Sequence, residues 1–179
     1  MTVIERLERM PKKGESYDHK GRHGWANPIR SDTGPFLQAF AGLPGIRRIL
    51  EIGTAHGLSA CYLGSYGAEV TTIEWDESRA KEAQSNFNEA GVNALVLNGD
   101  AMQILPTLKG KFDLIFMDAN KDGYLEQINA VIANNLFHPG TIILADNVID
   151  RQAECQPFLD FMTKSMIIPT ECGLLVGRL

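Results

Sequence analysis

Asp118 and Lys121, three residues apart, and the adjacent pair Asp146 and Asn147 are the residues of this 179-residue chain best suited to chemistry. Two carboxylates, an amide and an amine supply oxygen acceptors, a cationic group and a transferable proton, provided that the fold gathers them. Each pair follows an apolar run, FDLIFM at 112–117 and TIILA at 141–145, and such runs read as buried parallel strands. The polar groups are therefore expected where two strands end, which is where open α/β sheets keep their sites. Taken singly they also have plain readings: an Asp after a strand is commonly a cap, and an Asp-Asn pair a turn.

The elements that must position these residues follow from periodicity. Val3, Ile4 and Leu7 mark a short amphipathic helix over 2–10, ended by Pro11. Residues 12–30 hold Gly14, Gly21, Gly24 and Pro28 without periodicity and read as a loop or a flap ordered on binding. His19 and His23 would share a metal on a helix, but Gly21 and Gly24 argue against one, so a surface or lid role is expected. This gives a division into a helix and polar flap over 1–30 and a main domain over 31–179.

From residue 35 the pattern alternates. A helix over 35–41 and a strand over 48–52 lead through a glycine turn to a helix over 58–66 and a strand over 69–74. Ala80, Ala83, Phe87 and Ala90 then share one helix face, closed by Gly91. A strand over 94–97, a helix over 101–108 and the strand over 112–117 follow. The helix over 123–136 turns Leu125, Ile128, Val131 and Ile132 inward, and a strand starts at Thr141. After a helix over 152–163, the segments 166–168 and 174–179 are separated by only five residues, which permits a hairpin but no parallel crossover. The prediction is a doubly wound α/β fold: a mostly parallel seven-stranded sheet, helices on both faces and an antiparallel last strand.

Length fits one domain with a sizeable core. The net charge of −5 divides into +4 over residues 1–48 and −9 over 49–179, which argues weakly against a general nucleic-acid binder. Cys61, Cys155 and Cys172 have no metal-type spacing and cannot all pair, which fits a reducing compartment. The start is too charged for a signal peptide, and no apolar run approaches the roughly 20 residues of a membrane helix. A cytoplasmic location is the default expectation.

Residues 51–59, EIGTAHGLS, place two glycines four apart between a strand and a helix. A dinucleotide fingerprint would be GxGxxG, so the ligand is not expected to be NAD. Gly53 removes a Cβ so that a ligand can lie against the backbone, Glu51 supplies an anion, and Ser59 a hydroxyl in the first helical turn. A ligand carrying both an amino group and a carboxylate would satisfy these two. Glu74 ends the next strand, where an acid can accept from a ribose diol, and Trp75 beside it can face an adenine. Residues 74–77 also read as an acidic helix start. Asp100 and Ala101 can meet an adenine edge, with a plain N-cap as the other reading of Asp100.

In this arrangement residues 29–179 resemble the cation-dependent class I S-adenosylmethionine O-methyltransferases, the group of the catechol and caffeoyl-coenzyme A enzymes. The most specific stretches are EIGTAHGLS at 51–59, FDLIFMDANKDGY at 112–124 and LADN at 144–147. The resemblance implies a Rossmann-like methyltransferase. Glu51, Gly53 and Ser59 would hold the methionine end of the donor near Ile29 and Asp118; Glu74 would take the ribose, and Trp75, Asp100 and Ala101 would surround the adenine. It further implies that Asp118, Asp146 and Asn147 bind a divalent cation such as Mg2+ and that Lys121 is catalytic.

Such a set makes chemical sense. Carboxylate and amide oxygens suit a hard cation that keeps positions for water and substrate oxygens. A hydroxyl held there loses its proton more easily, and Lys121 can take it, since a neighbouring cation disfavours the ammonium form. The expected acceptor is a small phenolic, a catechol-like diol. One alternative is a hydroxylated uridine in tRNA, motivated by Lys12, Lys13, Lys20, Arg22 and Arg30; another is a non-catalytic nucleoside-binding module. The chain departs from catechol-specific members in one respect: no glutamate stands at 164–168, and Glu171 is too close to Gly173 to replace it. No membrane partner is expected, and a homodimer is compatible.

Overall fold

Alternation along the strands sorts the apolar side chains into two layers, one on each side of a single sheet. In β4 (Phe112–Met117), Leu114 and Phe116 join one buried cluster while Ile115 and Met117 join the other. The computed structural model describes residues 1–10 and 28–179. The predicted flap with His19 and His23, and the basic residues Lys12, Lys13, Lys20 and Arg22, lie outside the described residues.

Besides β4, the sheet contains β1 (Arg48–Ile52), β2 (Glu69–Glu74), β3 (Ala94–Asn98), β5 (Phe137–Ala145), β6 (Ser165–Ile168) and β7 (Leu174–Arg178). Among the described residues its order is β3-β2-β1-β4-β5-β7-β6. The first five strands pair in parallel, and β7 runs antiparallel to both β5 and β6, as the short final link requires. One face carries α1 (Val3–Glu8), α2 (Gly34–Ala41), α3 (Leu58–Leu63) and α4 (Glu77–Ala90); the other carries α5 (Ala101–Ile104), α6 (Tyr124–Ala133) and α7 (Gln152–Phe161). Val3 and Leu7 of α1 are buried in the same layer as Leu37 and Phe87. No described helix is long and apolar enough to cross a membrane.

Several boundaries differ from expectation for local reasons. The segment predicted as one helix over 101–108 is α-helical only to Ile104 and then tightens into a 3₁₀ turn at Leu105–Thr107, because Pro106 has no N–H to extend the ladder. The helix begun at Gly123 in the sequence reading starts at Tyr124, after a 3₁₀ turn at Lys121–Gly123, and ends at Ala133. β5 begins at Phe137, not Thr141: Phe112 pairs with Phe137, the register then shifts, and parallel pairing resumes at Leu114 with Ile142. Asp113 holds the irregular stretch, accepting from the backbone N–H groups of Arg47 and Arg48 and meeting His138 Nε2 at 2.9 Å.

Strand order reverses direction between β1 and β4. The crevice beyond their carboxyl ends is the switch point of the sheet, flanked by Gly53 on one side and Asp118 on the other.

Candidate active site

Two cavities open at the carboxyl ends of the strands. The first, of about 370 Å³, runs across the ends of β1, β2 and β3, and Ile29, Gly53, Ser59, Glu74, Trp75, Asp100, Ala101 and Asp118 all line it. The second, of about 480 Å³, is walled by Asp118, Lys121, Asp146 and Asn147, with Asp150 and Arg151 at its rim. Pro28, Ile29 and residues 118–120 belong to both, so the compartments share a wall.

Glu51 stands apart from the other residues expected at the first cavity. It is fully buried behind the wall, and Thr72 Oγ1 donates to its carboxylate at 2.5 Å, with Thr54 Oγ1 a further 2.5 Å from Thr72. Burial pushes its carboxyl from an ordinary 4.5 up to about 8, although the hydroxyls of Ser59 and Thr72 pull the other way. Its Oε1 makes no hydrogen bond. An acid raised in this way is protonated when folded over a pH range where the unfolded chain is ionised, so stability present at low pH is lost as pH rises through the folded value. Asp146 shifts in the same direction. The melting temperature of the ligand-free protein is therefore expected to fall between about pH 5 and pH 8, and Glu51→Gln should flatten the fall. A wild-type curve that is level over this interval would contradict the assignment. Thr72 was missed by sequence reasoning, yet a hydroxyl pair inside the buried strand VTTI was a visible signal.

Gly53 lines the cavity and is also constrained by a neighbour the sequence does not reveal. At φ +101°, a Cβ built on it would lie 2.6 Å from the carbonyl oxygen of Asp118 and 2.8 Å from the Ala119 nitrogen. The close neighbour is the chain leaving β4. Glu74 is also committed locally: it accepts from the N–H groups of Ala55 and Asp76, both at 2.9 Å, and so ties the loop after β1 to the end of β2. The acidic helix start is Asp76, whose Oδ1 caps α4 through the Arg79 N–H. Asp100 is the N-cap of α5, accepting from Met102 N–H at 2.9 Å, and still faces the cavity.

In the second cavity Lys121 Nζ sits 2.6 Å from Asp118 Oδ1, both side chains being largely buried. Burial raises the Asp118 carboxyl, opposed by the Lys121 ammonium. Burial, and then repulsion from Asp118, push Asp146 up to about 7. Asp146 is 1% exposed, and its Oδ1 has no hydrogen-bond partner. Asn147 adopts a left-handed φ of 64°, a conformation Asn tolerates better than most residues, and its Nδ2 donates to Asp150 at 3.3 Å. Among the described residues no three His, Cys, Asp or Glu side chains gather as a metal cluster. The set is two carboxylates and an amide, all hard oxygen donors, with one buried carboxylate oxygen lacking a partner, and this fits a hard divalent cation.

Sequence reasoning also missed Tyr124. It is fully buried, and its Oη lies 2.8 Å from the Met117 carbonyl and 3.1 Å from the Asp146 carbonyl. Burial raises its phenol well above the ordinary value, so the oxygen stays protonated and donates to these carbonyls. The signal was its spacing: residues 124, 128 and 131 share the inner face of α6, while Leu125 and Ile132, expected inward, are only half-buried. Arg30, the one described member of the basic stretch, lies at the second cavity beside Cys172 and Glu171.

Fold and crevice define a doubly wound α/β protein with cavities at its switch point, the place where such sheets keep their ligands. The O-methyltransferase family model matches residues 17–166. A catechol O-methyltransferase of Niastella koreensis is 38% identical over 130 residues, covering 68% of this chain and 58% of that one. One from Mycobacterium tuberculosis is 39% identical over 128 residues, covering 68% and 57%. Among solved structures, the Bacillus cereus O-methyltransferase in complex with SAH aligns at a TM-score of 0.75 with 27% identity, over 85% of this chain and 82% of that one. TomG of Streptomyces achromogenes, in complex with SAM, aligns at 0.80 with 25% identity, over 99% and 89%. The chain belongs to the O-methyltransferase family. Its matched segment spans less than three fifths of the length of the two catechol relatives.

Proposed function

We propose that this protein transfers the methyl group of S-adenosylmethionine to one hydroxyl of a small phenolic acceptor, a catechol-like diol, with a divalent cation such as Mg2+. The observation that carries the reading is the shared wall: Asp118 belongs to both cavities, with Lys121 Nζ 2.6 Å from its carboxylate on the acceptor side. Membership of the family, relatives named for catechol, and structural neighbours holding SAM or SAH support it.

On this reading the donor occupies the first cavity. Ser59 holds its amino-acid end beside Ile29 and Gly53, with Glu51 backing that wall from behind; Glu74 meets the ribose, and Trp75, Asp100 and Ala101 flank the adenine. Asp118, Asp146 and Asn147 hold the cation, which when bound supplies positive charge that stabilises an acceptor oxyanion. Lys121, as the neutral amine, takes the hydroxyl proton at Nζ and becomes the ammonium that pairs with Asp118. The acceptor oxygen then bonds to the methyl carbon while the sulfur–methyl bond breaks, its electron pair staying on sulfur to leave S-adenosylhomocysteine. The walls contribute alignment of oxygen, carbon and sulfur, for which effective molarities are large. No residue of 164–168 lines either cavity, whereas Asp150 and Glu154 line the second, so a second hydroxyl is met from that rim.

The test is methyl transfer from labelled donor to a panel of catechols and hydroxycinnamates. Transfer is expected to stop with chelator and return with Mg2+; turnover that survives rigorous metal removal would sink the metal-dependent reading. Activity on tRNA that falls steeply with salt would move the acceptor to nucleic acid.

A further inference from the structure

We propose that Tyr124 is a positioning residue that joins the two strand ends carrying the candidate metal ligands and supports Lys121 above them. The inference rests on the assignment of Asp118, Asp146 and Asn147 to a cation. The parallel pairing of β4 with β5 ends at Met117 opposite Ala145, and from there the two chains part into separate loops. Immediately beyond that rung, the Met117 carbonyl accepts from the Asp146 N–H at 3.1 Å and from Tyr124 Oη at 2.8 Å, and the Asp146 carbonyl lies 3.1 Å from the same phenol. One hydroxyl thus stands where a further ladder rung would be. The residue after the first carbonyl is Asp118, and the second carbonyl belongs to Asp146 itself, followed by Asn147 in its left-handed turn.

The ring fixes the third component. It packs edge-to-face with Phe158 of α7, with centroids 5.5 Å apart and planes at 76°. Lys121 Nζ lies 5.3 Å from the Tyr124 ring centroid while bonded to Asp118. A phenylalanine at this position would keep both ring contacts and remove only the hydroxyl, taking its donor from the Asp146 carbonyl while the Met117 carbonyl keeps only the Asp146 N–H. The separation of the Asp118 and Asp146 carboxylates would then be set by the last ladder bond and the loops, without the cross-link of the phenol. Partners that orient metal ligands from behind are typically worth about 10–100-fold in metal affinity.

The experiment is Mn2+ binding, followed by the loss of the free-ion paramagnetic resonance signal, for wild type, Tyr124→Phe and Val131→Ala. Val131 is buried on the same face of α6 and has no polar role. Tyr124→Phe is expected to weaken Mn2+ by about 10–100-fold and to lower kcat with donor KM nearly unchanged. Val131→Ala should lower the melting temperature without weakening Mn2+. Undiminished binding by Tyr124→Phe, or an equal loss in Val131→Ala, would overturn the inference while leaving the metal site intact. A wild type that binds no Mn2+ would overturn the metal assignment itself. Should Tyr124→Phe fail to fold, the protein with Tyr17, Tyr62 and Tyr66 changed to Phe and 3-fluorotyrosine at 124 replaces it. Its single fluorine resonance is expected to move on addition of Mg2+, and a fixed resonance would overturn the role.

Discussion

Lys121→Met is expected to lower turnover by about 10²–10⁴-fold, the usual worth of a positioned proton acceptor, while donor affinity stays within about twofold. Lys121 does not line the donor cavity, so its removal should leave that compartment unaltered. The metal site should respond in the opposite sense to turnover. Lys121 is the cation that now offsets Asp118, and without it the Asp118 and Asp146 carboxylates face each other with less compensation. A divalent ion is then bound at least as tightly. Lost turnover with retained Mn2+ and donor binding would isolate the proton-transfer step; an unchanged rate would remove Lys121 from the mechanism, and lost Mn2+ binding would make it a structural partner of Asp118 instead.

Gly53→Ala should destabilise the protein by about 2–5 kcal/mol, combining a positive-φ side chain with overpacking against backbone that cannot swing aside. For a chain of this length that corresponds to a fall in melting temperature of roughly 5–20 °C. Gly45 is the control: its φ of +96° resembles the +101° of Gly53, but a Cβ there would meet nothing within 4 Å. Gly45→Ala therefore bears only the backbone cost. The Gly53 variant should also lose donor affinity, because relief of the 2.6 Å contact displaces Asp118 and Ala119, which line the donor cavity. If thermal melts place the two variants together, the crossing of the β1 and β4 exits is not what demands glycine at 53.

The parts legible in the sequence were those fixed by local pattern. Apolar runs ending at Met117 and Ala145 located Asp118 and Asp146 at neighbouring strand ends, and the five-residue link before Leu174 already required the antiparallel β7. What escaped depends on contacts between distant segments. Gly53 could be placed at the turn, but its tightest neighbour is a carbonyl 65 residues later, which no local spacing reveals. Glu51 was legible as an anion at a strand end. Its depth was not, because Thr72 of β2 and the wall in front of it decide that. The start of β5 depends on Asp113 reaching His138 across the sheet end, and Pro139-Gly140 locally resembles a turn. Tyr124 looked like an early residue of an ordinary helix, since the acceptors of its hydroxyl come from the ends of β4 and β5.

The wall common to the two cavities has a thermodynamic consequence. Asp118 lines both compartments, so on the proposed reading a ligand that fixes it on one side changes the work needed to fix it on the other. Such coupling is reciprocal: whatever factor a cation adds to the affinity for donor, the donor adds to the affinity for cation. A titration of either one alone therefore reports a constant that belongs to a half-filled protein. On the proposed reading the two compartments load as a single linked equilibrium, and occupancy of one can be read from the other.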